Sequence, residues 1–310
     1  MNFKKNIKYR KMIDKLNIFD NKIQTAIPQT KVSNIVQTHL NSDNGRTKRV
    51  LIYGFDGARA DSMQYIIPSK DESYKGYNCK SPYSAITYLK DCGGLYLSYA
   101  GGNKQEPFTL QETSTAQGWA SVLTGKWGYE NGVIKHTVKN DSCPTILLNS
   151  AKNGVSSCFY AIWPDHFTIT YKNEIKYAKE NNLPLKFKQF ENEEDMQKSL
   201  KEAIYNDTKI IFAINEFPDY NGHKSGFDND NSHYAAGVTN ADRYAFELIE
   251  TIKNRPEYKN EDWLILITSD HGGHGKMHGT QQETDRMTSY VTSTTTNKYF
   301  HKLILLFILY

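Results

Sequence analysis

The sequence predicts an α/β fold built on a mostly parallel sheet. Short runs rich in Val, Ile, Leu, Phe and Tyr stand out in the segments VLIYGFDGARAD, IIFAINEFPDYNGH and WLILITSDHGGHGKMHG. Continuous apolar runs of this kind are typical of parallel strands that are buried on both faces. Helix-like segments separate the runs, and this alternation indicates βαβ units with helices on both faces of the sheet.

The predicted elements follow one another along a single domain that spans residues 47–310. A polar extension over residues 1–46, in which Lys, Asn, Gln and Thr dominate, precedes this domain. The segment HYAAGVTNADRYAFELIETIKNR has apolar residues at helical spacing and should pack on the sheet. In chain order we expect a strand at Arg49 to Gly54, helices near Ser81 to Cys92 and after Thr115, a strand around Ile211, a helix from His233 to Arg255 and a strand around Leu264.

The size, charge and cysteine content of the chain argue against several classes of binding partner. At 310 residues the chain can bury a substantial core, and one large domain is the favoured organisation. The formal net charge of +4 is small and the Lys and Arg residues are scattered, so we predict no nucleic-acid groove and no basic membrane face. The four cysteines form no CxxC pair, which favours reduced thiols over a zinc ribbon or a redox motif.

The two ends of the chain predict neither secretion nor a membrane span. The start, MNFKKNIKYRKMIDKLNIFDNK, is basic but has no apolar stretch of signal-peptide length, which favours a cytoplasmic location. The end, TSYVTSTTTNKYFHKLILLFILY, closes on an apolar stretch far shorter than the roughly 20 residues that cross a bilayer as a helix. We expect the part from near residue 289 to be a last strand or an atypical tail.

Acidic and histidine side chains follow the apolar runs at the point where each predicted strand ends. In open α/β sheets the ligand site lies just outside the carboxyl ends of the strands, so these side chains should converge on one pocket. They offer enough oxygen and nitrogen to hold two divalent metal ions, which predicts a two-metal hydrolase. The residues are Asp56, Asp219, His223, Asp270, His271 and His278.

The stretch ETSTAQGWASVLTGKWGYENGV offers a nucleophile. Its hydroxyls, at Thr113, Ser114 and Thr115, precede a small-residue segment that is compatible with a helix. Backbone N–H groups and the positive end of the helix dipole surround a hydroxyl at this position, which suits phosphate binding. A threonine is a poor nucleophile near neutral pH and needs a metal that lowers its pKa. The structural alternative is that one of these hydroxyls only caps the helix.

At these motifs the chain resembles the alkaline phosphatase superfamily, and most closely its type I phosphodiesterase/nucleotide pyrophosphatase branch. That branch has an Asp after its first strand, a Thr opening a helix that ends in TG, an ExPDxxGHxxG segment, and an SDHG segment followed by a further His. The matching segments are GFDGARAD with Asp56, TAQGWASVLTG with Thr115, EFPDYNGHKSG with Asp219 and His223, SDHGG with Asp270 and His271, and KMHG with His278.

The resemblance implies a fold, a metal site and a reaction. The implied fold is an alkaline-phosphatase-like three-layer sandwich that lacks its C-terminal part, since the chain ends soon after the last motif. Two ions, zinc or alternatively manganese, would be bound, and Thr115 would become a phospho-threonine during hydrolysis of a small-molecule phosphodiester. One ion would be held by Asp219, His223 and His278, and the other by Asp56, Thr115, Asp270 and His271.

Several alternatives stay open within this interpretation. His274 competes with His278 as a ligand, and Gly118 stands where an Asn commonly follows the nucleophile by three residues in the phosphodiesterase branch. Glu216 is expected to support the metal ligands, and His136 and His166 to be structural. The absence of a CxPxR or SxPxR segment argues against a sulfatase. A phosphomonoesterase, a phosphotransferase or a non-catalytic binding protein is the alternative function.

Overall fold

A computed structural model describes residues 26–64 and 84–293 of the chain. Its β-strands are β1 (Ile27–Pro28), β2 (Thr47–Phe55), β3 (Gly94–Tyr99), β4 (Ser157–Ala161), β5 (Leu185–Gln189), β6 (Ile210–Asn215), β7 (Glu261–Thr268) and β8 (Met287–Thr292). The α-helices are α1 (Lys31–Asn41), α2 (Ala60–Gln64), α3 (Ala85–Cys92), α4 (Thr115–Thr124), α5 (Gly128–Asn131), α6 (Ile146–Lys152), α7 (Lys172–Glu180), α8 (Glu193–Tyr205), α9 (Phe217–Ser225), α10 (Ser232–Lys253) and α11 (Glu283–Arg286).

The described strands form one sheet in the order β1-β3-β8-β7-β2-β6-β4-β5. β2 lies in the middle and pairs in parallel with β6 on one side and with β7 on the other. β8 pairs antiparallel with both β7 and β3, so it alone among these strands runs in the opposite direction. The carboxyl ends of β2, β6 and β7 therefore meet at one edge of the sheet.

Both faces of the sheet are covered by helices. Successive side chains of a strand point to opposite faces, and in β2 Leu51, Tyr53 and Phe55 belong to one core cluster while Val50 and Ile52 belong to another. The first cluster includes residues of α3, α8 and α10, and the second includes residues of α1, α4 and α6. This arrangement is a three-layer α/β sandwich, and it explains why the strands are continuous apolar runs.

The predicted elements are confirmed where the structure describes them. Strands cover the predicted positions at residues 49–54, 211 and 264, and α4 and α10 cover the two helices predicted after Thr115 and near 233–255. α3 begins at Ala85, and the predicted start of this helix at Ser81 lies outside the described residues. The short or partly exposed strands β1, β3 and β5, together with β4, have no counterpart in the sequence prediction. β8 overlaps the part from near residue 289, which is predicted to be a last strand or an atypical tail.

Part of the predicted polar extension belongs to the folded structure. α1 lies within residues 1–46 and buries Val32 and Val36 in the core cluster beneath the sheet. The packed structure thus starts upstream of Lys48, whereas residues 1–25 lie outside the described residues, and the boundary at residue 46 stays a prediction. The helix has four apolar residues at helical spacing, Val32, Ile35, Val36 and Leu40, a pattern that the sequence prediction did not use.

The remaining structural expectations concern cysteines and the end of the chain. Cys92, Cys143 and Cys158 are free thiols, and Cys79 lies outside the described residues. β8 covers the start of the predicted tail, and residues 294–310 lie outside the described residues as well. Among the described helices, none has the length and apolar character that a bilayer-spanning helix needs.

Candidate active site

The predicted site residues come together at the carboxyl edge of the central strands. Asp56 directly follows β2, Asp219 lies in the first turn of α9 after β6, and Asp270 and His271 follow β7. A cavity of about 430 Å³ opens at this edge, and Asp56, Thr115 and Asp219 are among the residues that line it. We refer to the seven predicted residues together as the cluster: Asp56, Thr115, Asp219, His223, Asp270, His271 and His278.

One half of the cluster surrounds the Thr115 hydroxyl. Its Oγ1 lies 3.4 Å from Asp56 Oδ1 and 3.3 Å from His271 Nε2. His271 Nε2 in turn lies 3.5 Å from Asp56 Oδ1 and 3.4 Å from Asp270 Oδ2. Asp56, Asp270 and His271 offer ligand atoms within 4.8 Å of one another, a spacing that suits a single metal ion.

The other half of the cluster joins α9 to the loop after β7. His223 Nε2 lies 3.3 Å from Asp219 Oδ2, and His278 Nε2 lies 3.8 Å from Asp219 Oδ1. The two Nε2 atoms are themselves 3.1 Å apart. His271 lies between the halves, because its ring stacks on that of His278 and it also groups with Asp219 and His278 within 4.8 Å.

The three histidines all present the same ring nitrogen to the cluster. The Nδ1 atoms of His223, His271 and His278 lie 3.0, 2.7 and 3.1 Å from the backbone carbonyls of Lys276, Gly272 and Thr113, respectively. A carbonyl oxygen can only accept, so each Nδ1 carries a proton, and in the neutral ring each Nε2 then has a free lone pair. This is the arrangement by which proteins orient metal-binding histidines.

The buried charges of the cluster fit divalent cations. Burial, together with the neighbouring carboxylates of Asp270 and Asp219, raises the pKa of Asp56 well above its ordinary value. Burial likewise raises the pKa of Asp270, and burial followed by the nearby His278 lowers the pKa of His271 to about 3. Asp219 Oδ1 and Asp270 Oδ2 are buried without a hydrogen-bond partner. Such unpaired acceptors facing imidazole lone pairs are stabilised when a cation lies between them.

Residues outside the cluster hold its carboxylates in place. Trp119 Nε1 donates a hydrogen bond to Asp56 Oδ2 at 2.9 Å, and the backbone amide of Gly57 donates to Asp270 Oδ1 at 3.2 Å. Gly57 has φ +65°, and a Cβ there would lie 2.7 Å from Asp219 Oδ1, so only glycine fits this turn. The Tyr234 hydroxyl donates to the Gly57 carbonyl at 2.8 Å and fixes the same turn.

The structure distinguishes the three candidate nucleophiles by what each hydroxyl touches. Thr113 Oγ1 donates to the carbonyl of Thr280 at 2.7 Å, away from the cluster. Ser114 is the N-cap residue of α4 but makes no side-chain cap hydrogen bond. Thr115 opens the helix, and its hydroxyl is the one that contacts Asp56 and His271. Of the three hydroxyls, that of Thr115 is therefore the one that contacts Asp56 and His271.

The structure shows the surroundings of His274 and Gly118, two positions that the sequence interpretation left open. His274 is turned away from the cluster, because its Nδ1 lies 2.6 Å from Asp285 Oδ1, whereas His278 points into it. Gly118 lies against Asp270, and a Cβ at this position would be 2.7 Å from both the Cβ and the carbonyl oxygen of Asp270. No Asn side chain fits there, so the close approach of α4 to β7 requires glycine.

Sequence reasoning missed the residues that support or border the cluster. Trp119 and Tyr234 are fully buried aromatic residues, and nothing in the sequence distinguishes them from ordinary core residues. Trp163, Tyr220 and Glu112 line the cavity.

Three further side chains have defined places near the cavity. Glu216 lines the cavity and accepts a 2.6 Å hydrogen bond from the backbone of Trp163, which fits its expected supporting role. His136 lines the cavity and stacks on Trp163. His166 is fully buried beneath Trp163.

One protein-family model and several solved structures match this chain. The family model described as type I phosphodiesterase/nucleotide pyrophosphatase matches residues 109–295, which is more than half of the chain. No curated protein sequence matches the chain.

Solved structures with a similar fold come from several enzyme classes. Murine ectonucleotide pyrophosphatase/phosphodiesterase 5 is 16% identical, with a TM-score of 0.47 over 73% of this chain and 57% of that one. The 2-O GAG sulfatase BT1596 is 10% identical, with a TM-score of 0.51 over 80% of this chain and 64% of that one. TAB5 alkaline phosphatase with bound Mg is 12% identical, with a TM-score of 0.45 over 81% and 92%. At such identities the likeness is one of fold, and the match to BT1596 agrees with the predicted three-layer sandwich.

Proposed function

The chain belongs to the type I phosphodiesterase/nucleotide pyrophosphatase family, and on this premise we propose that it hydrolyses phosphodiesters through a phospho-threonine at Thr115. The family supports a phosphoric ester hydrolase or transferase. The observation that supports a phospho-threonine at this position is the contact of Thr115 Oγ1 with both Asp56 and His271 inside the cluster. The chain spans 57% of the length of the murine relative, so the activity and substrates of a whole protein of that kind are themselves part of the proposal.

The cluster residues suit two divalent ions in the grouping that the resemblance implies. Asp219, His223 and His278 would hold one ion, and Asp56, Thr115, Asp270 and His271 would hold the other. Mixed nitrogen and oxygen ligands favour zinc or manganese. Such ions would lower the pKa of the Thr115 hydroxyl and neutralise charge on the phosphate oxygens.

The side chains and backbone of this protein supply the rest of the proposed reaction. Thr115 Oγ1 attacks phosphorus, forming the Oγ–P bond as the bond from phosphorus to the leaving alcohol oxygen breaks in line with it. The leaving oxygen takes up the proton that Thr115 loses and departs as the alcohol. Water then attacks phosphorus, the Oγ–P bond breaks, and one proton of the water passes to the Thr115 oxygen as a phosphate monoester is released. α4 begins at Thr115, so its first backbone N–H groups lie beside the nucleophile and would bind and orient a non-bridging phosphate oxygen.

The first test is hydrolysis of bis-p-nitrophenyl phosphate and p-nitrophenyl phosphate with added Zn²⁺ or Mn²⁺. We expect the diester to be hydrolysed faster, a chelator to abolish turnover, and Thr115→Ala to lower kcat by at least about 1,000-fold. Thr124→Ala is the matched control, because this threonine lies at the other end of α4 and its hydroxyl donates to the carbonyl of Ala120. It should leave turnover close to that of the wild type.

The outcomes separate the proposed function from its alternatives. Faster turnover of the monoester would indicate a phosphomonoesterase, and transfer of the phosphoryl group to an added alcohol would indicate a phosphotransferase. No turnover of either ester by folded, metal-loaded protein would favour a non-catalytic binding protein instead.

A further inference from the structure

The junction between β6 and α9 positions two members of the cluster. Asn215 ends β6, Glu216 follows it, and α9 carries Asp219 in its first turn and His223 near its end. A shift or tilt at the start of α9 would therefore move both cluster side chains relative to the rest of the cluster. Binding sites must hold their side chains to within about 0.5 Å, so the contacts that fix this junction bear on metal binding.

Glu193, the first residue of α8, binds this junction through both of its carboxylate oxygens. Its Oε1 accepts the backbone N–H of Glu216 at 2.6 Å, and its Oε2 accepts a hydrogen bond from Asn215 Nδ2 at 3.0 Å. Asn215 Oδ1 in turn accepts the backbone N–H of Phe217 at 3.1 Å. The first N–H groups of a helix have no partner within the helix, so Glu193 and Asn215 supply acceptors at the start of α9.

These hydrogen bonds make Glu193 an acceptor at both oxygens. The backbone N–H of Phe217 can only donate, so Asn215 Oδ1 faces it, and Asn215 Nδ2 donates to Glu193 and to the Tyr53 hydroxyl at 3.1 Å. Two accepting oxygens are the pattern of a carboxylate, whereas an amide or a protonated acid would present a donor on one side. The polar contacts of Glu193 therefore match its charged form.

The burial of Glu193 opposes that charge. The residue is only 6% exposed, and burial raises its pKa well above the ordinary value. Among the described residues, no Lys, Arg or His forms an ion pair with its carboxylate. Judged by burial alone, a neutral amide would be the more stable side chain at this position. Glu193→Gln should therefore be harmless unless the accepting oxygen that faces Asn215 is needed.

We propose that Glu193 is a positioning residue, which fixes the start of α9 and thereby sets the affinity of the ion that Asp219, His223 and His278 would hold. This inference rests on the metal site of the proposed function and assigns to it a residue outside the cavity lining. The other ion does not depend on Glu193, because its carboxylate ligands follow β2 and β7 rather than β6.

The test measures Zn²⁺ affinity at one ion position at a time, by competition with a chelator. Asp270→Asn removes a ligand of the other ion and leaves the α9 position to be titrated, whereas Asp219→Asn does the reverse. In the Asp270→Asn background we expect Glu193→Gln to raise the Kd for Zn²⁺ by about tenfold or more. In the Asp219→Asn background the same change should leave the Kd unaltered.

An exchange of the two polar groups tests whether the hydrogen bond itself is responsible. When Asn215→Asp is added to Glu193→Gln, the new amide donates to the new carboxylate, and the N–H groups of Glu216 and Phe217 keep their acceptors. In the Asp270→Asn background this double change should restore most of the lost Zn²⁺ affinity. Asn215→Asp alone brings two carboxylates together and should lower the affinity.

The matched control is Glu174→Gln. Glu174 is also buried, and its carboxylate also accepts a backbone N–H at the start of a helix, that of Thr145 at 2.8 Å before α6. Because α6 carries no member of the cluster, this variant should lose thermal stability and keep its Zn²⁺ affinity. An equal loss of affinity in Glu174→Gln and Glu193→Gln would mean that Glu193 acts only through general stability.

The remaining outcomes separate this inference from the proposed function. An unchanged Kd in Glu193→Gln, an equal rise in both backgrounds, or no recovery in the double variant would overturn the role of Glu193. A wild type that binds Zn²⁺ but hydrolyses no ester would contradict the phosphodiesterase and leave these differences in affinity in place. A wild type without Zn²⁺ affinity would overturn the metal site and the role of Glu193 together.

Discussion

At the scale of single residues, the positions of the cluster side chains depend on neighbouring residues that are not themselves members of the cluster. Asp56 is held through Oδ2 by Trp119 Nε1, while its Oδ1 faces Thr115 and His271. The sequence indicated Asp56 because an acidic residue follows a buried strand. It could not indicate Trp119, because a buried tryptophan has no local signal that tells whether its N–H meets a carboxylate.

Replacement of Trp119 by Phe should weaken metal binding without removing a ligand. The change deletes the hydrogen bond to Asp56 Oδ2, and outer partners of this kind typically contribute about tenfold or more to metal affinity. We expect the Kd for Zn²⁺, measured by chelator competition, to rise by about tenfold.

The matched control for this change is Trp263→Phe. Trp263 is also buried and its Nε1 also donates to a carboxylate, that of Glu261, but it lies in β7 far from the carboxyl edge of the sheet. This variant should lose stability and keep its metal affinity. Equal weakening of metal binding in both variants would mean that Trp119 acts only through general packing.

At the scale of elements, the loop between β7 and α11 shows how one of two neighbouring histidines comes to lie at the cavity. Asp285 is fully buried, and its two oxygens contact His274 Nδ1 at 2.6 Å and the amide and hydroxyl of Thr280. These contacts of Asp285 hold His274 against α11, whereas His278 lies at the cavity. Both histidines stand in one glycine-rich stretch, so spacing alone left the choice between them to the family pattern.

Removing these two histidines should therefore have different effects. His278→Ala deletes an Nε2 that faces Asp219 and His223, and we expect Zn²⁺ affinity to fall by more than about 100-fold. His274→Ala removes a partner of Asp285 and should change affinity far less while it loosens the loop. Isothermal titration of both variants measures the difference. A greater loss in His274→Ala would mean that His274 is the ligand.

At the scale of the whole molecule, burial makes stability depend on pH. His166 packs against Phe159 and Trp163, and both of its ring nitrogens are buried without a hydrogen-bond partner. Burial, followed by the nearby His136, lowers the pKa of His166 to about 3. In the unfolded chain His166 therefore becomes protonated near pH 6.5, whereas in the folded protein it stays neutral until about pH 3.

This difference predicts acid sensitivity with a defined sign. The folded pKa is below the unfolded one, so the stabilisation is fully present above pH 6.5 and is lost as pH falls toward 3, by about 1.4 kcal/mol per pH unit for one proton. Urea unfolding between pH 4 and 7 should show a steeper loss for the wild type than for His166→Phe. Other buried histidines contribute to the pH dependence of both the wild type and His166→Phe. Parallel curves of unfolding free energy against pH for the two proteins would therefore contradict the prediction.

The sequence by itself determined the fold class, the central strands and the identity of the seven candidate ligands. Apolar runs that end in acidic residues are local signals, and parallel strands bring their carboxyl ends to one edge by necessity. The cytoplasmic location and the roles of the seven residues stay predictions.

Only the tertiary structure decided which side chains meet. It packs α1 on the sheet, turns His278 rather than His274 into the cavity, brings Trp119 to Asp56, and requires glycine at position 118 because α4 touches Asp270 there. Each of these contacts joins residues that are far apart in the chain. Their geometry depends on strand order and on the packing of helices against the sheet, and neither hydrophobic period nor residue type encodes these locally.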